Sequence, residues 1–325
     1  MMIVPQYWAQ AKEKIKVNGR RATIKRFGWS DDSEAAALLH AEGRVAEVVK
    51  EALEGKSFRS IDHKIAYGGA ESLPIREEII DRFDDVIITR NGYGALCLNT
   101  PDVVFADVDF EAESSLRLDY SVFFVLTLIN VVMWQLYYTA GFFIAFLVVS
   151  ALLTTTASHL IFKLLTWLKG GAEKIAKQKI VKFSANHPDW HLRLYRTPKG
   201  FRVLVMHQTY APSGDAVLDF FKETGTDLLY VQVCQNQKCY RARVSPKPWR
   251  MGMNRIKPRP GVWPIKAERM PERAAWVSEY EKASAEYAAC QFIEVLGSQA
   301  VDAKAEAVRS VHDELCRANQ AMKMA

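Results

Sequence analysis

The chain has 325 residues, 49% of them hydrophobic and 25% charged, and carries a formal net charge of +6. This composition excludes a disordered or fibrous polymer, and the length suits one large domain or two ordinary ones. The hydrophobic content is uneven: one strongly apolar block interrupts an otherwise polar, globular sequence.

In chain order, residues 1–100 read as an α+β segment. Arg21–Trp29 has strand character, and Ser30 offers a helix N-cap, with Asp31, Asp32 and Glu34 favouring the helix dipole. The alanine-rich stretch that follows predicts a helix to about Leu53, closing near Gly55. Val86–Arg90 and Ala95–Asn99 flank Asn91-Gly92-Tyr93-Gly94 and predict a hairpin. Val103–Phe110 (VVFADVDF) predicts a further strand.

Between Asp119 and Lys163 stand 43 residues without an Asp, Glu, Lys or Arg. A single helix of that length would extend roughly 65 Å at about 1.5 Å per residue, against a bilayer core of about 30 Å. Two crossings fit, reversing near Thr139-Ala140-Gly141, so residues 119–167 predict a transmembrane helical hairpin. Tyr120, Trp134, Tyr137, Tyr138 and Trp167 suit its interfaces. The competing reading, a helical hairpin buried in a soluble core, has to explain an unusually long charge-free stretch. Lys163, Lys169, Lys174, Lys177, Lys179 and Lys182 follow the block, and only Glu173 opposes them. The positive-inside rule then puts both flanks in the cytoplasm. The N-terminus shows no basic leader followed by an apolar stretch, so no cleaved signal is expected.

Beyond the block, about Ala172–Ala185 reads as a helix. His191–Arg196 and Phe201–His207 read as strands joined across Thr197-Pro198-Lys199-Gly200. Asp215–Glu223 reads as a helix ending at Gly225, Leu228–Cys234 as a strand, and Tyr240–Val244 as another. The order β-α-β-β-α-β predicts an α+β protein with a ferredoxin-like or RRM-like core, the membrane hairpin being inserted in the first crossover. That core divides between residues 101–118 and 168–250. Residues 251–325 would add a basic loop and two C-terminal helices, Glu272–Leu296 and Val301–Asn319. The first strand must pair with strands encoded after the hairpin, so the chain has to return to the side it left. Only an even number of crossings allows this.

The five cysteines are odd in number and scattered, and in a cytoplasmic chain they default to reduced thiols. Cys234 and Cys239 are spaced C-x4-C, wider than a zinc knuckle and without a second pair, so they read as thiols rather than ligands.

Three regions could carry chemistry. Asp107 and Asp109 are two apart on a strand, so their carboxylates share a face about 7 Å apart at the backbone. Such a pair can hold Mg²⁺ or Mn²⁺ and, through it, a substrate phosphate; the alternative is a strand end emerging into solvent. The Thr197–Arg202 turn could aim backbone N–H groups and Arg202 at phosphate, or be a plain hairpin turn. Lys238–Arg269 holds ten basic residues against Glu268 alone, with Tyr240, Trp249 and Trp263 interleaved. It suits phosphate backbones and stacked bases, or the anionic headgroups of a lipid bilayer, or it is a solvated loop. Charge is split along the chain, residues 163–325 carrying 27 basic and 16 acidic side chains and residues 1–162 carrying 16 and 21.

From RFGWSDDSEA through ITRNGYGALCLNTPDVVFADVDF to RARVSPKPWRMG, the chain resembles an uncharacterised bacterial membrane protein family. Residues 103–247 more distantly resemble the RRM-like catalytic core of archaeo-eukaryotic primase-type polymerases. In that superfamily a D-x-D strand binds divalent metal, a Ser/Thr-Gly-x-His-type hairpin contacts nucleotide phosphate, and a later acid completes the metal site. The resemblance implies Asp107 and Asp109 as metal-binding catalytic residues, Asp227 as the third acid, and Mg or Mn as cofactor. It implies Thr197, Arg202, Arg241, Arg243 and Lys247 as phosphate contacts, with Arg202 standing where the family has histidine. The expectation is a metal-dependent nucleotidyltransferase, or a nucleotide- or nucleic-acid-binding domain, in a bacterial inner membrane with both termini cytoplasmic. The alternative is a non-catalytic scaffold or adaptor whose basic loop lies on anionic lipid.

Overall fold

The computed structural model describes residues 2–17, 19–62, 74–111, 113–137, 140–261 and 263–325. It opens on a long antiparallel hairpin, β1 (Tyr7–Val17) and β2 (Arg20–Ser30). Helix α1 (Glu34–Leu53) packs on β2 so closely that a Cβ at Gly28 would sit 2.2 Å from the Ala37 carbonyl oxygen. The helix starts three residues later than the Ser30 expectation: Ser33 is extended, and its side chain accepts from the Ala36 N–H. β1 was not anticipated, because its charged alternation (KEKIK) carries little apolar signal.

Next come β3 (Glu78–Phe83), β4 (Val86–Arg90), β5 (Leu96–Thr100) and β6 (Phe105–Asp109). The Asn91 side-chain oxygen accepts the N–H groups of Tyr93, Gly94 and Ala95, which fixes the predicted turn between β4 and β5. Two long helices follow, α2 (Leu116–Tyr137) and α3 (Ala140–Leu168). The predicted reversal at Thr139 lies outside the described residues; Ala140 and Gly141 already belong to α3.

After the helices the chain forms α4 (Ala172–Asn186), β7 (His191–Thr197), β8 (Gly200–Val205), α5 (Asp215–Thr224), α6 (Leu228–Gln237) and β9 (Tyr240–Arg243). The C-terminal part holds α7 (Met270–Ser284), β10 (Tyr287–Ala288), β11 (Gln291–Gly297), α8 (Ala303–Cys316) and β12 (Lys323–Met324).

One four-stranded sheet has the order β11-β7-β8-β6, and a second has the order β3-β4-β5-β9; both are antiparallel. One continuous core joins them, with Ile88, Leu98, Tyr240 and Ala242 of the second sheet clustering with Phe105, Val203 and Leu204 of the first. The strand before the apolar helices does pair with a strand after them, Phe105 opposite Leu204 and Asp107 opposite Arg202.

The fold is α+β, but the ferredoxin-like order is corrected in two places. Leu228–Cys234 is helical, because Asp227 caps it: its Oδ1 accepts from Leu229 N (2.6 Å) and Tyr230 N (3.2 Å). A short apolar run such as LLYVQVC does not by itself separate strand from buried helix. The fourth strand of the β6 sheet is instead β11, drawn from the segment read as helical to Leu296, and it joins the β7 edge. β9 completes the other sheet beside β5. Residues 251–325 are therefore not an appendage, since β11 and α8 both build the core.

α2 and α3 are each long and apolar enough to cross a membrane. Only 11% and 17% of their most apolar stretches are buried, which separates them from core helices of a soluble protein. They pack on one another, with Asn130 Nδ2 donating to Ser150 Oγ at 2.7 Å, both side chains buried between them.

Candidate functional site

β6 brings the D-x-D pair to the edge of its sheet, and the chain after α5 returns there, the Asp227 N–H donating to the Asp107 carbonyl (3.0 Å). Asp107, Asp109 and Asp227 line one wall of a cavity of about 760 Å³. Arg241 and Arg243 of β9, with Lys247 and Arg250 just beyond, line the same cavity, as do Thr197 and Lys199. The two sheets thus bring the acidic strand end and the basic strand end of distant sequence segments together.

The acids differ in their commitments. Asp107 is cross-strand from Arg202, whose Nε donates to its Oδ1 at 2.9 Å. Asp109 has no such partner: burial, then the charges of Asp107 and Asp227, push its carboxyl above the usual range. Asp227 spends one oxygen on the α6 cap.

The basic residues also divide. Arg202 is 1% exposed and donates to Asp107 and to the Arg243 carbonyl, so it supports the acidic wall from behind. It lines the cavity as its expected place among the phosphate contacts requires, but its charge is already matched inside the protein. Arg241 is likewise matched, donating to Glu77 at 2.6 Å and to Gln237. Thr197 is buried at the end of β7.

Arg243 and Lys247 remain on the open cavity, together with Arg250, which sequence reasoning left among the general basic residues of its loop. Arg250 Nη1 is buried without a hydrogen-bond partner. Burial, Arg243 and Arg250 lower Lys247 to about 8, and burial and Arg243 lower Arg250. This wall is crowded with like charge that an anion would relieve, as a cation would relieve Asp109. The signal for Arg250 was present in the sequence: Lys247-x-x-Arg250 spans one tight turn, here a 3₁₀ turn over Pro248–Met251.

Hard oxygen donors suit Mg²⁺ or Mn²⁺. The carboxyl of Asp109, raised by burial, Asp107 and Asp227 and only partly offset by Lys247 and Arg250, fits such an ion. The three aspartates are not drawn together, since Arg202 holds Asp107 and the helix cap holds Asp227. Among the described residues, the three-donor group whose ligand atoms all lie within 4.8 Å of one another is Cys290, His312 and Cys316. Sequence reasoning missed that group because it tested Cys234 and Cys239, which are simply buried thiols. Its local signal was His312-x3-Cys316, one helical turn apart.

An anion bound beside Lys247 would be held in a pH-dependent way. A lysine that titrates near 8 is charged below that pH and neutral above it. Inorganic phosphate or nucleotide affinity should therefore fall as pH rises through about 8, while Lys247→Arg should hold it to higher pH. Isothermal titration across the range checks this; parallel wild-type and variant curves would contradict it. Folding has the opposite dependence: the lowered value means the charged form strains the fold, so stability rises as pH climbs through that value.

Comparison with protein-family models, curated proteins and solved structures finds no match for this chain.

Proposed function

We propose that the chain is a membrane-anchored, cytoplasmic, primase-like domain that binds nucleotide or nucleic-acid phosphate through a divalent cation, with nucleotidyl transfer as its chemistry. The observation that carries this reading is a single cavity with an under-neutralised acidic wall facing an under-neutralised basic one. Asp109 is the residue that would take Mg²⁺ or Mn²⁺. Asp107 and Asp227, committed to Arg202 and the helix cap, would turn oxygens towards the ion when it binds, and Arg243, Lys247 and Arg250 hold the phosphates. The cation, when bound, neutralises developing phosphate charge. In-line phosphoryl chemistry otherwise asks this chain mainly to position and to offset charge. The apolar helices α2 and α3 anchor the domain in the bilayer, with the lysines after α3 on the cytoplasmic side.

The test is divalent-dependent nucleotide binding by the full chain in detergent. Mn²⁺ should raise wild-type nucleotide affinity by tenfold or more, about 1.4 kcal/mol, and Asp109→Asn should remove that increment. Asp109 is chosen because its substitution leaves the Asp107–Arg202 pair intact. An unchanged Mn²⁺ response in Asp109→Asn overturns the reading. So does vesicle binding that tracks anionic lipid without any nucleotide response, which would mark a lipid-bound adaptor.

A further inference from the structure

Behind the acidic wall, on the far side of Arg202, lies a second cluster that the cavity chemistry does not use. Cys290 precedes β11, while His312 and Cys316 are one turn apart on α8, and all three are buried with 0% exposure. Their ligand atoms lie within 4.8 Å of one another, Cys290 Sγ and His312 Nε2 at 3.9 Å. In a tetrahedral zinc site, Zn–S of about 2.3 Å and Zn–N of about 2.0–2.1 Å set such donors roughly 3.5–3.8 Å apart. The cluster needs only a slight contraction to reach that spacing.

Two further features build the site. The backbone pins the cysteine segment to the end of α8 on both sides of Cys290: Ala289 N–H donates to the Cys316 carbonyl (3.0 Å), and Phe292 N–H donates to the Ala318 carbonyl (2.9 Å). The second is the histidine's support. Nδ1 of His312 lies 2.9 Å from Asp313 Oδ1, and Asp313, 5% exposed, is held in turn by Arg193 and Arg309. A carboxylate on Nδ1 leaves Nε2 as the acceptor nitrogen, 3.9 Å from Cys290 Sγ and 3.3 Å from Arg202 Nη1. A carboxylate on the other ring nitrogen is what orients metal-bound histidines. Packing alone explains a buried thiol. It does not explain two thiols converging on a carboxylate-oriented imidazole.

We infer that Cys290, His312 and Cys316 bind a structural zinc ion that ties α8 and the start of β11 to the sheet beneath Asp107. Two thiolates match the charge of Zn²⁺, so the added charge at the site is close to zero. The Arg243 carbonyl, 3.9 Å from Cys316 Sγ, is a donor at hand for a fourth position. Arg202 Nη1, 3.3 Å from His312 Nε2, gives up that contact on loading and keeps Asp107 and the Arg243 carbonyl. Because the donors have no solvent exposure, the ion is taken up as the chain folds.

The experiment is elemental analysis of the full chain, purified in detergent without metal-affinity steps from zinc-supplemented cells. Wild type should hold about one zinc per chain. Cys290→Ser and Cys316→Ser should each reduce this at least tenfold, whereas Cys239→Ser should not. Unfolding in chelator and refolding with Co²⁺ should produce sulfur-to-cobalt charge-transfer absorption in the wild type, a readout independent of whether the variants fold. Zinc below a tenth of an equivalent in the wild type, or no cobalt–thiolate band after refolding, overturns the inference. Neither measurement depends on nucleotide binding.

Discussion

Asp107→Asn should lower the stability of the detergent-solubilised chain by about 3 kcal/mol, while Asp109→Asn, two residues away, should cost nothing. The difference lies in what each carboxylate supports. Arg202 is a guanidinium with 2% side-chain exposure, and Asp107 is its carboxylate partner at 2.9 Å. Removing that partner leaves a guanidinium in the interior without its carboxylate, for which about 3–5 kcal/mol is typical. The lower end applies because the Asp107 side chain keeps 35% exposure, so water softens the loss. Asp109 has the reverse relation to the fold. Its carboxyl is pushed up by burial and by two neighbouring aspartates, so ionising it strains the native state. The wild type therefore gains stability as pH falls through the Asp109 titration, and Asp109→Asn should flatten that segment of the pH profile. Denaturant titrations of both variants check the contrast, and a double-mutant cycle with Arg202→Met isolates the pair. Equal effects from the two asparagine variants would show that Asp107 does not neutralise Arg202.

Gly200→Ala should cost about 1–3 kcal/mol and displace the acidic wall of the cavity with it. Gly200 opens β8 directly opposite Asp109 in the register of the sheet. A Cβ there would lie 2.4 Å from the Val108 carbonyl oxygen and 2.9 Å from Asp109 Cα, both main-chain atoms of β6. Neither can rotate away, so the strand end must move, and Asp109 moves with it. The expected result is a lower denaturation midpoint together with a weakened Mn²⁺ response. Gly43→Ala is the matched control: nothing lies within 4 Å of its Cβ, and it sits inside α1. That change should stabilise by about 0.5–1 kcal/mol through helix propensity. A Gly200→Ala protein as stable as the wild type would mean that β6 and β8 do not meet as closely as the register places them.

Much of the fold was legible because local signals agreed. The β4–β5 hairpin rests on Asn91, whose side chain builds its own turn whatever surrounds it. α4, α5, β7 and β8 were each bounded by glycine, proline or asparagine punctuation and carried consistent periodicity. The apolar helices follow from a run of uncharged residues too long for one crossing. The failures are equally local in origin. Leu228–Cys234 has strand-like composition, but Asp227 starts a helix by satisfying two N–H groups, and the cap outweighed propensity. Gln291–Gly297 continued an apolar spacing from α7 that also matches a strand; its pairing with β7 decided the matter. The acidic pair was readable from its two-residue spacing, whereas the fates of Arg202 and Arg241 were not. A basic side chain in a sequence shows no sign of whether an acid waits inside the fold.

By itself, the amino-acid sequence determined the class of the protein, its two membrane-length helices, and the presence of acidic and basic segments able to serve one site. The tertiary structure alone decided which charges face the cavity, because that depends on the β6–β8 register and on the second sheet carrying β9 alongside. It also decided that Cys290 meets His312 and Cys316. Cys290 lies 22 residues before His312, and only the packing of α8 against the start of β11 brings its sulfur within reach of the imidazole and the second thiol.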